Sequence, residues 1–250
     1  MTVRELIQRT ELQFAESDLF YGHGTDNPLD EAFYLVMTAA DLAFDCAEEE
    51  LDVSLDTEKL EYIESLINKR IHQRIPVAYL VNKAWFAGHE FFVDERVLIP
   101  RSPVAELIHS QFTPWLVPQQ VTSILDIGTG SACIAIACAH AFPHATVDAV
   151  DIDEDAIEVA RRNVADHQLH QRVQVIQSNL YQQLENKRYD IIISNPPYVG
   201  NAEMRELPEE YRHEPGRALE ADNNGLAIVD QILAESTEHL NENGILIVEV

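Results

Sequence analysis

The residues with the most chemical meaning stand at the ends of apolar runs. Ser194-Asn195-Pro196-Pro197-Tyr198 directly follows Ile191-Ile192-Ile193. Two prolines stop a strand and stiffen what comes after it. Such a turn needs neither the Asn before the prolines nor the Tyr after them. The Asn195 side-chain oxygen and the Pro196 carbonyl can each accept one hydrogen bond from a planar NH2 group, and Tyr198 can pack its ring on that group's face. A nitrogen with a delocalised lone pair is a poor nucleophile, so holding it in line with an electrophile supplies much of what its reaction needs. No His or Glu is required as a strong base.

A second set is Leu125-Asp126-Ile127-Gly128-Thr129-Gly130-Ser131-Ala132, between a strand-like run and an apolar helical one. Glycines there let the backbone turn sharply and approach a ligand, and a helix start offers free N–H groups. A plain dinucleotide fingerprint would place glycine at position 133, where this chain has Cys133. Instead Asp126 precedes the first glycine by two, which suits a ligand with a positive amino group better than a pyrophosphate. Asp151 follows the apolar Ala149-Val150, 21 residues after Gly130. That is near the spacing of about 20 at which an acid binds both ribose hydroxyls. Gln177-Ser178-Asn179-Leu180 closes a third apolar run. Two readings stand equally there: Asn179 hydrogen-bonds a planar base whose face Leu180 covers, or the pair is a polar turn and a core leucine.

These residues require elements to place them. From about residue 100 the pattern repeats strand, turn and helix. Strands are expected at Ser123–Ile127, Thr146–Val150, Val173–Ile176, Ile191–Ser194 and Ile245–Val250, with helices such as Ala156–Asp166 and Leu226–Leu240. Alternation of this kind predicts an α/β domain with a mostly parallel sheet. Ligands sit outside the C-terminal strand ends at the switch point of such a sheet, so Asn-Pro-Pro-Tyr should face whatever the glycine turn holds. The first ~75 residues are helical in period. One helix carries Leu6, Leu12, Phe14, Leu19 and Phe20. Tyr21-Gly22-His23-Gly24-Thr25-Asp26-Asn27-Pro28 then breaks the chain. A second helix carries Ala32 to Ala43, and a third starts near Thr57 and carries Leu60 to Ile71. Pro76 ends it or starts a short one through Val77–Leu80. Lys83–Phe86 and Glu90–Val93, separated by Ala87-Gly88-His89, form a hairpin signature.

Together these motifs resemble the HemK/PrmC/PrmB family of N5-glutamine methyltransferases over nearly the whole chain. The glycine turn resembles the nucleotide-binding turn of S-adenosylmethionine-dependent methyltransferases. Asn-Pro-Pro-Tyr is similar to the motif of those that modify exocyclic base amines or side-chain amides. Release-factor enzymes of the family typically carry Pro-Arg-Pro and a Thr-Glu at the domain entry, whereas this chain has Pro100-Arg101-Ser102-Pro103. That run, the segment from Tyr21 to Pro28 and Tyr211-Arg212-His213-Glu214-Pro215 look like the PrmB branch, which methylates a glutamine of the third large-subunit ribosomal protein.

The resemblance implies an N-terminal helical substrate-recognition domain at residues 1–82 and a β-hairpin connector at 83–99. A Rossmann-like S-adenosylmethionine-dependent methyltransferase domain would follow at 100–250. It implies S-adenosyl-L-methionine as cofactor, with Asp126, Gly128, Thr129, Gly130, Ser131, Ala132, Asp151, Asn179, Leu180 and Asn195 as its contacts. Asn195, Pro196, Pro197 and Tyr198 would clamp the substrate amide. Ile99-Pro100-Arg101-Ser102-Pro103, at the entry to the catalytic domain, is expected over the cofactor's methionine end. Ala132 departs from the family, which usually has a third glycine there. The chain also stops at Val250, inside the apolar run Gly244–Val250, where this fold normally adds a helix and two antiparallel strands. The catalytic domain is therefore expected to be cut short, with an open sheet edge.

Composition narrows the partners. The 250 residues are 46% hydrophobic and carry 17 Lys+Arg against 43 Asp+Glu, a net charge of −26 spread through both halves. That opposes binding to a nucleic-acid backbone or an anionic membrane and favours a basic protein partner. Three cysteines argue for a reducing compartment, and Cys133 and Cys138 are expected in the core. No signal peptide opens the chain and no run of ~18 apolar residues spans a membrane. A cytoplasmic protein is expected. The histidine pairs His140 with His144 and His167 with His170 lack metal-ligand spacing and are expected at the surface. Three alternatives stay open: a release-factor glutamine methyltransferase, a DNA adenine-N6 methyltransferase, which the charge opposes, and a non-catalytic ribosome-assembly module. The sequence does not set the oligomeric state.

Overall fold

A computed structural model describes residues 1–223 and 225–250. The chain forms two compact units. The first is Met1–Lys83 with Pro208–His213, and the second is Ala84–Leu207 with Glu214–Val250. Among the described residues no helix is long and apolar enough to cross a membrane.

The first unit is helical. Helix α1 (Val3–Ala15) opens on a capping box, in which Glu5 N donates to Thr2 Oγ1 at 3.2 Å and Thr2 N to Glu5 Oε2 at 2.8 Å. It stops at Ala15, so Leu19 and Phe20 lie outside it although their spacing continues the helical period. Ser17 ends the helix by turning its hydroxyl back to the Gln13 carbonyl at 2.6 Å. Leu12, expected on the apolar face, is exposed. Helix α2 (Pro28–Ala39) is capped by Asn27, whose side chain accepts from Asp30 N at 2.9 Å, and ends before Leu42 and Ala43. Glu48-Glu49-Glu50-Leu51 folds into a single turn, α3 (Glu48–Leu51). Helix α4 (Thr57–Gln73) is capped by Asp56, with Lys59 N donating to Asp56 Oδ1 at 2.8 Å. A short α5 (Val77–Val81) follows Pro76. Leu6, Phe14, Leu35, Met37, Ile63 and Leu66 are buried.

At the centre of this unit is a buried arginine. Arg70 Nε donates to Glu31 Oε2 at 3.0 Å, Nη1 to Glu210 Oε1 at 3.1 Å and Nη2 to the Phe20 carbonyl at 2.8 Å. Phe20 N donates to the same Glu210 oxygen at 3.0 Å. The Tyr211 ring lies 5.7 Å from Phe20 and 4.6 Å from His23. The breaker cluster after α1 and the distant segment 208–213 thus share one core.

The second unit opens on the hairpin, β1 (Ala84–Phe86) and β2 (His89–Phe91), paired antiparallel. Its turn is two residues, Ala87 and Gly88, with φ of 49° and 80°. Positive φ at both positions matches the strand twist, so His89 belongs to the strand and not to the turn. After α6 (Val104–His109) come β3 (Ser123–Ile127), α7 (Cys133–Ala141), β4 (Thr146–Asp151), α8 (Glu154–Asp166), β5 (Val173–Gln177), β6 (Tyr189–Ser194), α9 (Ala227–His239) and β7 (Leu240–Val248). The five strands form one parallel sheet in the order β5-β4-β3-β6-β7.

Period-two alternation sorts its side chains. Ile124, Val147, Ala149, Ile191 and Ile193 share a core with α6, α7 and α8. Leu125, Ile127, Val150 and Ile192 share another with Ile232 of α9, Tyr181 and Leu184. Helices cover both faces, as an all-parallel sheet requires. Cys133 and Cys138 are buried and free, and burial raises both thiols, Cys133 to about 12, which disfavours the reactive thiolate. The last strand starts earlier than its apolar run. Leu240 pairs with Tyr189, the register shifts, and Ile245 pairs with Ile191.

Candidate active site

The chain order places β3 between β4 and β6, so the direction of winding reverses at β3. Ile127 pairs with Val150 on one side and Ser194 on the other, and Ser194 Oγ donates to the Ile127 carbonyl at 2.8 Å. The glycine turn, Asp151 and Asn-Pro-Pro-Tyr therefore leave the sheet side by side.

The turn is tied down by its neighbour. Gly128 N and Thr129 N both donate to the Val150 carbonyl at 2.9 Å, and Gly130 N donates to Asp151 Oδ2 at 2.9 Å. Gly128 and Gly130 have φ of 72° and 53°, and a Cβ on either would meet no atom of the described residues within 4 Å. The backbone conformation demands glycine, and the space in front of it is open for a ligand. Ala132 also sits in the left-handed region, at φ 64°, which explains the usual glycine at this position. Its methyl group is buried in the core beside α7 and not in the ligand space.

Asp126 is buried beneath the turn. Its Oδ2 accepts from Thr129 Oγ1 at 2.6 Å and from Ala135 N at 3.2 Å, while Oδ1 has no partner among the described residues. Burial, only partly offset by those hydrogen bonds, lifts the carboxyl from 3.8 to about 7. Folding of the ligand-free protein therefore takes up a proton. This group's contribution is most favourable below the ordinary carboxylate value and declines as pH rises from there to about 7, a span of roughly 4 kcal/mol. Asp126→Asn should remove that slope. Thermal unfolding between acid and neutral pH should show the variant gaining on the wild type as pH rises.

Asp151 ends β4, where burial raises its carboxyl despite hydrogen bonds from Asp153 N and Gly130 N. Ser178 N donates to the Asp151 carbonyl at 2.8 Å, bringing the end of β5 alongside. Leu180 holds φ 48°, costly for a leucine, and Ser178 Oγ fixes it by donating to the Leu180 carbonyl at 2.8 Å. Strain of this kind persists where the surroundings over-determine it, commonly at ligand sites.

Beyond β6 the chain is held from outside. Val199 N donates to the Leu219 carbonyl at 2.8 Å and Ala221 N to the Val199 carbonyl at 3.0 Å. Gly225, at φ 86°, packs against the Tyr198 backbone so closely that a Cβ would lie 2.0 Å from the Tyr198 carbonyl oxygen. Gly225→Ala must therefore displace the loop. Its expected outcome is a fall of about 10²-fold in kcat, since misplacement by an ångström costs that much where catalysis rests on positioning. Steady-state assays check it. No sequence pattern marked Gly225, because its constraint is a contact across 27 residues of chain.

A cavity of about 200 Å³ opens at these strand ends. Of the residues singled out from sequence, Gly128, Gly130, Asp151, Asn179, Leu180, Asn195, Pro196 and Pro197 line it. Asp126, Thr129, Ser131 and Ala132 are buried away from its wall. Tyr198 is 41% exposed, outside the wall, with its hydroxyl 3.5 Å from Glu249 Oε1. Pro100 to Pro103 are not in the wall either. Arg101 instead makes a two-pronged ion pair with Glu214, at 2.6 and 2.8 Å, and Ser102 bonds to Glu249. Arg96, Val97, Leu98, Pro215 and Arg217 also line the wall, and of these five only Pro215 fell in a motif noted from sequence. Arg96 is held by Asp94 at 2.7 Å and Glu158 at 3.0 Å, and Arg217 by Asp153 at 3.1 Å. Asn163 ties the hairpin exit to the glycine turn, donating to the Phe92 and Ser131 carbonyls at 2.9 Å and accepting from Phe92 N at 2.8 Å.

Residues 110–222 match the family model for the methyltransferase small domain. A ribosomal protein uL3 glutamine methyltransferase from Francisella tularensis subsp. tularensis is 43% identical over 250 residues, all of this chain and 80% of that protein. A protein of the same description from Bordetella pertussis is 44% identical over 250 residues, 84% of its length. Among solved structures, a methyltransferase from Pyrococcus furiosus is 19% identical over 77% of this chain and 78% of its own, with a TM-score of 0.45.

Proposed function

The chain belongs to the family of ribosomal protein uL3 glutamine methyltransferases, and from that premise we propose that it methylates a glutamine side-chain nitrogen of ribosomal protein uL3, with S-adenosylmethionine as donor. The single observation that carries the mechanism is the convergence of Gly128, Gly130, Asp151, Leu180 and Asn195 on one cavity. These residues fit the donor. Open space faces the two glycines, Asp151 stands ready for a pair of hydroxyls, and Asn179 and Leu180 offer a hydrogen bond and an apolar face for adenine. Asp126 supports the turn from beneath, through Thr129 Oγ1 and Ala135 N.

Bound there, S-adenosylmethionine supplies an electrophilic methyl group. The Asn195 side-chain oxygen and the Pro196 carbonyl accept the two N–H bonds of the substrate amide and orient its nitrogen. Pro196 and Pro197 keep those acceptors from moving, and Tyr198 packs on the planar group. Positioning would carry the step: as the new N–C bond forms, the methyl–sulfur bond would break to leave a neutral thioether, and one amide proton would pass to solvent after attack, so no strong base is needed beforehand. We assign methyl transfer to residues 100–250, substrate recognition to 1–82 and the connection to 83–99.

The net charge of −26 favours encounter with a basic ribosomal protein and disfavours nucleic acid, in keeping with a cytoplasmic protein modifier. Raising salt from low to about physiological ionic strength should slow methylation several-fold through kcat/KM rather than kcat. Initial rates at limiting substrate check this. The test of function is incubation with labelled S-adenosylmethionine and the ribosomal proteins of cells lacking this enzyme. Label in one basic large-subunit protein supports the proposal, and label only in a peptide-chain release factor overturns the substrate.

A further inference from the structure

Three histidines that no sequence spacing connects converge in the second unit. His89 opens β2, His140 lies in the last turn of α7, and His167 caps the C-terminus of α8. One ring nitrogen from each lies within 4.8 Å of the others, and among the described residues this is the one such group of three or more metal-ligand side chains. His140 Nε2 and His167 Nδ1 are 3.4 Å apart, and the His89 and His140 rings stack at 4.3 Å.

The spacing has a chemical meaning. Two nitrogens on one tetrahedral ion, each at ~2.0–2.1 Å, stand about 3.4 Å apart. His167 Nε2 lies 2.8 Å from the Glu90 carbonyl oxygen. A carbonyl can only accept, so Nε2 carries the proton and Nδ1 turns its lone pair toward His140. A histidine ligand held by a backbone carbonyl through its other nitrogen is the usual outer-shell arrangement at a metal. Without an ion, a proton on His140 Nε2 serves the same contact. Both helices end here, and their negative dipole ends favour a cation. His140 is exposed, and a cavity of about 420 Å³ lined by His89, His109 and His140 gives an ion and a coordinating water access.

We propose that His89, His140 and His167 bind a divalent transition-metal ion of the zinc class. An all-imidazole set suits zinc, nickel or copper and not magnesium or calcium. The ion would tie the hairpin to the C-terminal ends of α7 and α8, whose N-terminal ends follow the glycine turn and Asp151. This role is independent of methyl transfer.

The test uses the full chain, stripped with chelator and titrated with Zn²⁺ alone, beside His140→Asn and His144→Asn. Both substituted positions are exposed, so folding is kept. The expected result is one tight equivalent per chain, at least tenfold weaker in H140N and unchanged in H144N. Zinc should also raise the thermal midpoint of wild type and H144N but not of H140N. Equal binding by all three proteins, or none by the wild type, would overturn the site.

Discussion

Asn195→Ala is expected to lower kcat for methyl transfer by about 10³-fold. The substitution removes one of two acceptors that hold the substrate nitrogen, and deleting one preorganised hydrogen-bonding group at a reacting centre typically costs 10²–10³-fold. Loss of alignment adds to that, because an amide nitrogen has little intrinsic nucleophilicity and depends on its position. Asn195 also lines the cavity, yet Gly128, Gly130, Asp151 and Leu180 remain there, so donor affinity should change only a few-fold. Asn195→Asp retains an acceptor at the same place and should recover part of the lost rate. A split between kcat and donor affinity separates a clamp from a merely structural residue, which would change both through folding. Single-turnover rates beside donor titrations measure it.

Arg70→Ala is expected to destabilise the first unit by about 3–5 kcal/mol, the range for breaking a buried ion pair from one side. Arg70 is fully buried, and so are Glu31 and Glu210. Removing the guanidinium leaves two carboxylates and the Phe20 carbonyl without a main partner, and opens space in the core. Burial raises the Glu31 carboxyl even with Arg70 present. At Glu210 burial also pushes upward, but hydrogen bonds from Phe20 N and Arg70 outweigh it and hold the carboxyl below its ordinary value. The stability from Glu210 is therefore present above the ordinary Glu range and lost as pH falls through its lowered value. Replacing Glu31, Arg70 and Glu210 together by apolar residues of similar volume should recover most of the loss, since no uncompensated charge then remains. Both tryptophans, Trp85 and Trp115, lie in the second unit, so urea unfolding should be followed by helical circular dichroism.

What the sequence made legible was what local chemistry marks. Glycines at 128 and 130, the acid at 151 and the prolines at 196 and 197 punctuate strand ends, and strand ends in a parallel sheet are where ligands gather. The repeat of strand, turn and helix from about residue 100 pointed to the sheet itself. What stayed hidden depends on contacts between distant segments. Leu19 and Phe20 fit a helical period but fall beyond Ser17, whose hydroxyl captures the carbonyl that would have continued α1. Arg96 to Leu98 look like an ordinary loop and become a cavity wall through Asp94 and Glu158. The segment 208–213 belongs to the first unit because Glu210 meets Arg70 and Phe20, and no pattern in its own residues announces that. The three converging histidines are the same case, since each alone reads as a surface residue.

The most direct measurement is tandem mass spectrometry of purified uL3 after reaction with this protein and isotopically labelled S-adenosylmethionine, using wild type and Asn195→Ala side by side. The account predicts one labelled methyl on a glutamine side-chain nitrogen with the wild type and almost none with the variant at equal time. A methyl on lysine, arginine or a chain terminus, or equal glutamine labelling by both proteins, would contradict it.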